Sequence, residues 1–288
     1  HTDYQVQQLP SDGEYTLVFQ GTGRSNNNYN LTIVTPELLD EAYTIGDTIS
    51  SSISEEGEED TYTFEGSTGQ RLWFDSLTGI GNISAKLYSP SGINLWNHSI
   101  NVNKAPFDLN ETGDYRLVVD GSNRNIGDYS FRLLDFADAI DINLDTEISG
   151  NFGESGRESH IYKFNGTEGQ LLYFKRNDGD YNNYYNLYNP AGELVFFQRL
   201  HTDYQVQQLP SDGEYTLVIR GTARSNNNYS LTIVTPELLD ESYIIGDTIN
   251  GSISEEGEED TYIFEGSAGQ RLFFDGIDGS NGIRAKLF

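Results

Sequence analysis

The chain has no cysteine and no methionine in 288 residues. Without cysteine there is no disulfide framework and no thiolate metal site, so packing and hydrogen bonds must hold the fold. Methionine is missing even at position 1, which leads to the expectation of an excerpt or processed piece whose export signal lies elsewhere. Positive charge is scarce: 17 Lys+Arg face 45 Asp+Glu, a formal net charge of −28. A surface of that sign repels phosphate, so neither nucleic acid nor an anionic membrane is an expected partner. No apolar run approaches the ~18 residues of a bilayer span, and no membrane insertion is expected. Aromatics, by contrast, are plentiful, with 19 Tyr and 15 Phe in regular positions. That content argues against disorder as the meaning of the charge. The balance suits a protein that stays soluble in an extracellular medium, or one that uses cations.

Internal repetition organises the chain. "HTDYQVQQLPSDGEYTLV" at 1–18 returns unchanged at 201–218, and a diverged copy lies midway. "GEYTLVFQG", "GDYRLVVDG" and "GEYTLVIRG" begin at Gly13, Gly113 and Gly213. "YTFEGSTGQRLWF", "YKFNGTEGQLLYF" and "YIFEGSAGQRLFF" begin at Tyr62, Tyr162 and Tyr262. A period this long marks a domain array rather than a solenoid, whose units run ~20–50 residues. Within one unit, β-rich segments at 48–53, 61–65, 71–77, 83–88, 94–99, 106–109, 115–120 and 129–134 are separated by turn chemistry such as "SPSG" and "NETGD". Tyr115, Leu117 and Val119 share one face by the two-residue strand period, as do Tyr129, Phe131 and Leu133. The expected fold is all-β: tandem antiparallel β-sandwich, jelly-roll-like domains of about 100 residues. "TPELLDE" at 35–41 is expected to form one helical turn between units. The expected boundaries are residues 40–139 and 140–240 for complete units, 1–39 for the C-terminal half of one sandwich and 241–288 for the N-terminal half of another. These halves are complementary and are expected to meet, within one molecule or head-to-tail between molecules, because unpaired sheet edges invite a partner.

The segments "DTYTF", "GQRLWF", "LYSPSG", "GDYRLVV" and "GDYSFRL", in that order, resemble the bacterial pre-peptidase C-terminal domain. The resemblance covers both complete units and, as halves, both ends. It implies a jelly-roll accessory module of secreted or cell-surface bacterial proteins, often peptidases, with no catalysis of its own. Some members of that family bind calcium or an extracellular polymer. Carried over by position, calcium ligands would be Glu37 with Asp40 or Glu41, then Asp60 with Glu56 or Glu58. In the last unit they would be Glu237, Asp240, Glu241, Glu256, Glu258 and Asp260. In the middle unit Ser159 or His160 replaces Asp60 and Arg157 replaces Glu58, so no site is expected there.

Charge alone raises the same question. "SISEEGEEDTY" at 52–62 and again at 252–262 sets five carboxylates in six positions, whereas the middle unit has "GESGRESHIY". Two carboxylates ~5 Å apart in water repel by roughly 0.8 kcal/mol. Calcium, which takes six to eight oxygens, would relieve that repulsion, although EF-hand spacing is absent. A solvated loop that keeps the surface acidic is the alternative.

Catalytic patterns are missing. The four histidines form no His-x-x-x-His pair, and there is no Gly-x-Ser-x-Gly or phosphate loop. The middle unit carries "NDGDYNNYYNLYNP", whose Tyr181, Tyr184 and Tyr185 are candidates to grip a polysaccharide or polypeptide. Strand alternation places Tyr185 with Leu187 and Tyr184 with Tyr188, so part of this cluster is also expected in the core.

Overall fold

The structure, a computed structural model, describes residues 9–20, 23, 28–33, 35–36, 38–121, 125–206, 208–223, 228–254, 257–276 and 285–288. The chain divides into two compact units, His1–Asp138 and Ala139–Phe288. It is all-β. Among the described residues the one helical element is a short 3-10 turn, Phe136–Asp138.

The first unit contains β1 (Leu38–Ala42), β2 (Ile49–Ile53), β3 (Glu59–Gly66), β4 (Arg71–Thr78), β5 (Ile83–Tyr88), β6 (Asn94–Ser99), β7 (Lys104–Asp108), β8 (Gly113–Gly121) and β9 (Gly127–Asp135). They form a five-stranded sheet, β1-β3-β8-β5-β6, and a four-stranded sheet, β2-β9-β4-β7. Alternation explains what each sheet buries. Tyr62 and Phe64 of β3, Tyr115, Leu117 and Val119 of β8, and Leu87 of β5 enter the same buried cluster as Phe74 of β4 and Tyr129, Phe131 and Leu133 of β9. Phe131 stacks on Phe74 with centroids 5.4 Å apart and meets Tyr62 edge-on at 5.5 Å.

The second unit follows with β10 (Ile140–Asp141), β11 (Glu147–Asn151), β12 (Ser159–Gly166), β13 (Leu172–Asp178), β14 (Tyr184–Tyr188), β15 (Leu194–Arg199), β16 (Tyr204–Val206), β17 (Gly213–Arg220) and β18 (Asn228–Val234). Its sheets are β10-β12-β17-β14-β15 and β11-β18-β13-β16, the order of the first unit. Registers repeat as well: Tyr62 lies opposite Leu117, and Tyr162 opposite Leu217. Beyond them β19 (Leu238–Ser242) and β20 (Glu259–Ile263) form a two-stranded sheet.

The shared motifs are turn chemistry. The Tyr115 hydroxyl accepts from the Glu111 N–H and donates to the Glu111 carbonyl, each at 2.9 Å, and Tyr215 repeats this with Ser211. A tyrosine four residues after the turn thereby ties the loop to the start of β8 or β17, which accounts for Gly-[Asp/Glu]-Tyr. The Gly-Gln pair closes another turn. Gln70 Oε1 accepts from the Ser67 N–H at 3.0 Å while Gly69 sits at φ 85°, a left-handed conformation that glycine adopts without a Cβ clash.

Two expectations are corrected. "TPELLDE" does not make a helical turn: β1 runs through it, because pairing with β3 and burial of Leu39 against the core outweigh a proline start. The sheets are also not purely antiparallel, since β1–β3, β10–β12 and β19–β20 pair in parallel. Fully buried Leu117 sits between both sheets. Leu117→Ala is expected to cost about 2–5 kcal/mol, read as a lower urea midpoint at unchanged slope. A loss below about 0.5 kcal/mol would place Leu117 outside the core.

Candidate functional site

The acidic run turns between β2 and β3 through Gly57, at φ 86°. Its carboxylates have different fates. Glu56 is exposed at the turn. Glu58 is buried, and its Oε2 accepts from the Ser54 N–H at 2.6 Å, the Ser54 hydroxyl at 2.8 Å and the Glu55 N–H at 2.9 Å. That carboxylate is the loop's own clasp. In the last unit Glu258 repeats it, with Oε2 accepting from the Ser254 N–H at 2.5 Å and the Ser254 hydroxyl at 3.0 Å.

Asp60 is the second residue of β3 and is 1% exposed. Its Oδ2 accepts from the Tyr129 hydroxyl, which is also hydrogen-bonded to the Tyr62 hydroxyl at 2.7 Å. Tyr62 belongs to one sheet and Tyr129 to the other, so Asp60 ends a polar bridge between the two layers. Its second oxygen, Oδ1, is buried with no hydrogen-bond partner. Burial pushes the Asp60 carboxyl up from its ordinary value. The Tyr129 hydrogen bond opposes that rise, and the charges of Glu58 and Glu41 add to it.

The parallel register explains why Glu41 takes part. Leu39 lies beside Asp60 and Glu41 beside Tyr62, so Glu41 is on the same face as Asp60, although its own side chain is exposed at the sheet edge. Asp40 lies beside Thr61 and is therefore on the opposite face from Asp60. In the last unit Asp240 and Glu237 are exposed and Asp260 is half-buried. Asp240 is paired with Thr261, as Asp40 is with Thr61. Glu37 and Glu256 lie outside the described residues. Among the described residues, no three His, Asp or Glu side chains form a group placed to hold a metal. Asp60 Oδ1, buried and without a hydrogen-bond partner, lies near two further acids, of which Glu58 is engaged by its own loop and Glu41 is exposed.

The middle unit builds the same junction with an imidazole in place of the carboxylate. Tyr162 and Tyr229 hydroxyls bond at 2.5 Å, and His160 Nδ1 stands where Asp60 does, 2.5 Å from the Tyr229 hydroxyl. Phe152 takes the position of Ile53 and stacks on Tyr229 with centroids 4.7 Å apart. The connection into β12 is one residue longer than that into β3, which corrects the sequence correspondence. Glu158, not Arg157, stands at the place of Glu58.

The aromatic cluster splits. Tyr185, expected among ligand-facing rings, is 1% exposed in the core, packed against Phe174 and Phe196. Tyr184 is on the opposite face of β14 and stacks on Phe197 at 5.0 Å. Tyr181 is 54% exposed, with the Arg199 guanidinium 3.7 Å from its ring centre. Arg199, Arg220 and Phe197 were not singled out in the sequence, because they lie on other strands. Only the pairing of β14 with β15 and β17 brings them to Tyr184.

No protein-family model matches the chain, and a search of curated proteins found no match. Solved structures do. The chain is similar to the pre-peptidase C-terminal domain of a collagenase from Bacillus anthracis, with 21% identity over 35% of this chain and 99% of that one, TM-score 0.29. It is similar to a periplasmic lysozyme inhibitor of g-type lysozyme from Aeromonas hydrophila, with 17% identity over 33% and 95%, TM-score 0.27. It is also similar to the CUB1-EGF-CUB2 domains of rat MASP-1, with 8% identity over 69% and 100%, TM-score 0.20.

A raised folded-state pKa means that the native carboxyl holds its proton more tightly than the unfolded one. The associated stability is present below the unfolded value and is lost as pH rises through the folded value. In calcium-free buffer, acidification from roughly pH 7 toward pH 4 is expected to raise the melting temperature of wild type more than that of Asp60→Asn. Equal slopes by calorimetry would show that Asp60 titrates normally.

Proposed function

We propose that this chain is a run of non-catalytic β-sandwich accessory modules, jelly-roll-like, from a secreted or cell-surface bacterial protein, stiffened by calcium at its acidic loops. Residues 40–139 and 140–240 would be complete modules, with 1–39 and 241–288 as halves. The observation that carries the calcium part is Asp60, a buried carboxylate with one oxygen unpartnered beside Glu41 and Glu58. The non-catalytic part is supported by the recurring motif residues, which serve as turn ties, glycine turns and core rings. Calcium would be held by Asp60 and Glu41, with Glu58 fixing the loop around it, and by the matching Glu241, Glu258 and Asp260 in the last unit. Its role would be to neutralise charge at the edge where the two sheets meet. His160 and Phe152 leave the middle unit without such a need.

Calorimetry of the full chain under calcium titration tests this. At saturating calcium the transition of the first unit is expected to rise by several degrees, roughly 1–3 kcal/mol by mass action. The transition of residues 140–240, where the acidic run is missing, should stay in place, and Asp60→Asn should abolish the shift of residues 40–139. Equal shifts of residues 40–139 and 140–240, or a full shift in the variant, would contradict the assignment.

Attachment to an extracellular polymer, as the targeting segment of a secreted hydrolase such as a peptidase, is the second reading. It is favoured by the exposed rings of Tyr181, just before β14, and Phe197 of β15. A passive spacer is what remains if both fail. For the halves, we propose pairing between residues 1–39 and 241–288, within a chain or head-to-tail. Tyr15, Leu17 and Phe19 are exposed, whereas Tyr115, Leu117 and Val119 at the repeat positions are core. Leu272 and Phe274 are exposed, whereas Leu72 and Phe74 are core. Leu17→Asp is expected to increase binding of a dye specific for exposed apolar surface, and to dissociate any oligomer seen by ultracentrifugation. No change in either would exclude the pairing.

A further inference from the structure

Tyr173 is an aromatic residue on the outer side of its strand. Leu172 and Phe174 of β13 enter the core cluster, so by alternation Tyr173 and Lys175 face outward from the four-stranded sheet. Tyr173 lies between Gln205 of β16 and Val234, the last residue of β18. Its hydroxyl donates to Asp203 Oδ2 at 2.9 Å, and Asp203 Oδ1 accepts from the Arg176 N–H at 2.8 Å, which anchors the far end of the ring. Against the root of this side chain lies Gly257, from the turn that leads into β20. A Cβ at Gly257 would come within 2.8 Å of Tyr173 Cβ and 3.1 Å of its Cγ and Cδ2. Carbon atoms pack at about 3.5–4 Å, so the contact has room for glycine alone. Gly257 also sits at φ 86°. The second copy of the acidic run thus has its glycine where the chain turns and where it touches the neighbouring sandwich. Lys175 gives that face a charge of the sign that suits an acidic turn.

The linker is held as well. Residues 235–237 join β18 to β19, and the Thr235 N–H donates to Asp145 Oδ1 at 2.7 Å. Asp145 lies in the turn before β11, where its N–H donates to the Ile233 carbonyl at 2.8 Å, as the Gly46 N–H does to the Leu133 carbonyl in the first unit. Gly46 and Gly246 are at φ 99° and 107°, and Asp145 keeps the left-handed conformation at φ 62°. A side chain is strained there. What it adds over glycine is the carboxylate that takes the linker N–H. Pro236, next in the chain, is buried. Phe136, at the same repeat position, is buried too, in a 3-10 turn that packs against β4. A flexible spacer is solvated along its length and needs none of these contacts.

We propose that the outward face of the four-stranded sheet at Tyr173 is the seat of the next module's acidic turn, and that this seat, with Asp145 on the linker, locks successive modules at one fixed joint. The partner of the surface is the following repeat of the same chain. The inference rests on the tandem-module reading above and gives the acidic turn a second task, one that does not require calcium.

The absence of cysteine makes the joint measurable. In the full chain, Asn165→Cys and Ser242→Cys place one spin label on β12 and one on β19, both at exposed positions. Double electron–electron resonance, with a chelator present, then reads the distance across the joint. The doubly labelled chain is expected to give one narrow distance distribution. Adding Tyr173→Ser or Asp145→Gly should roughly double its width, toward that of modules on a free linker. The β12–β17 amides should keep their hydrogen-exchange protection in both. Asp145→Asn, which tolerates the same turn and keeps the acceptor oxygen, should stay narrow. Gly257→Ala acts from the other side of the contact and should broaden the distribution without altering the sandwich. A broad distribution in the labelled chain itself, or widths unchanged by Tyr173→Ser and Gly257→Ala, would overturn the joint and leave the tandem-module reading in place. Missing protection of the β12–β17 pairing would overturn that reading and the joint with it.

Discussion

A buried tyrosine pair links the two sheets of each unit, and the group that completes its hydrogen bonds sets the local chemistry. Tyr62 comes from the five-stranded sheet and Tyr129 from the four-stranded sheet, and their hydroxyls meet at 2.7 Å inside an apolar layer. A phenol placed there must find a partner or lose about 1–3 kcal/mol. In the first unit the last partner is a carboxylate, and in the second an imidazole. A buried acid next to Glu41 and Glu58 holds its proton more tightly than usual, whereas His160 stacks with Phe152 and lies 4.0 Å from the Glu158 carboxylate.

The same economy governs the rest of the repeat. Residues that recur every hundred positions are those the fold cannot change: the tyrosine that ties its own turn, the glycines at positive φ and the alternating aromatic rows. Many residues that vary lie on loops and outward faces, where substitution costs little in stability, but buried positions such as Ala85 and Tyr185 differ as well. The outward faces of β5 and β14 show how far this goes. Their registers are identical, yet one pairs Lys86 with Asp120 and the other sets Arg220 against the Tyr184 ring.

Strand positions in the first unit were legible because the two-residue period and the turn residues agree. Ile83–Tyr88 and Asn94–Ser99 fall where alternation puts them. β1 was hidden because "TPELLDE" has helix-start chemistry and its strand character comes from a partner more than twenty residues away. For the same reason Asp40 and Glu41 were indistinguishable in sequence, and only the parallel register puts Glu41 on the side of Asp60. The arginines of the aromatic face were equally invisible. Tyr184 advertises itself in a run of tyrosines, but its neighbours Arg199 and Arg220 arrive through cross-strand pairing.

The account stands on Asp60 as a buried, incompletely satisfied acid at the junction of two sheets. Carboxyl-carbon NMR of the full chain, titrated with pH in the absence and presence of calcium, tests it most directly. The expected result is a carboxyl that titrates above the ordinary aspartate range without calcium, and whose resonance shifts on calcium binding and then holds steady to lower pH. An Asp60 that titrates in the ordinary range and does not respond to calcium would contradict it.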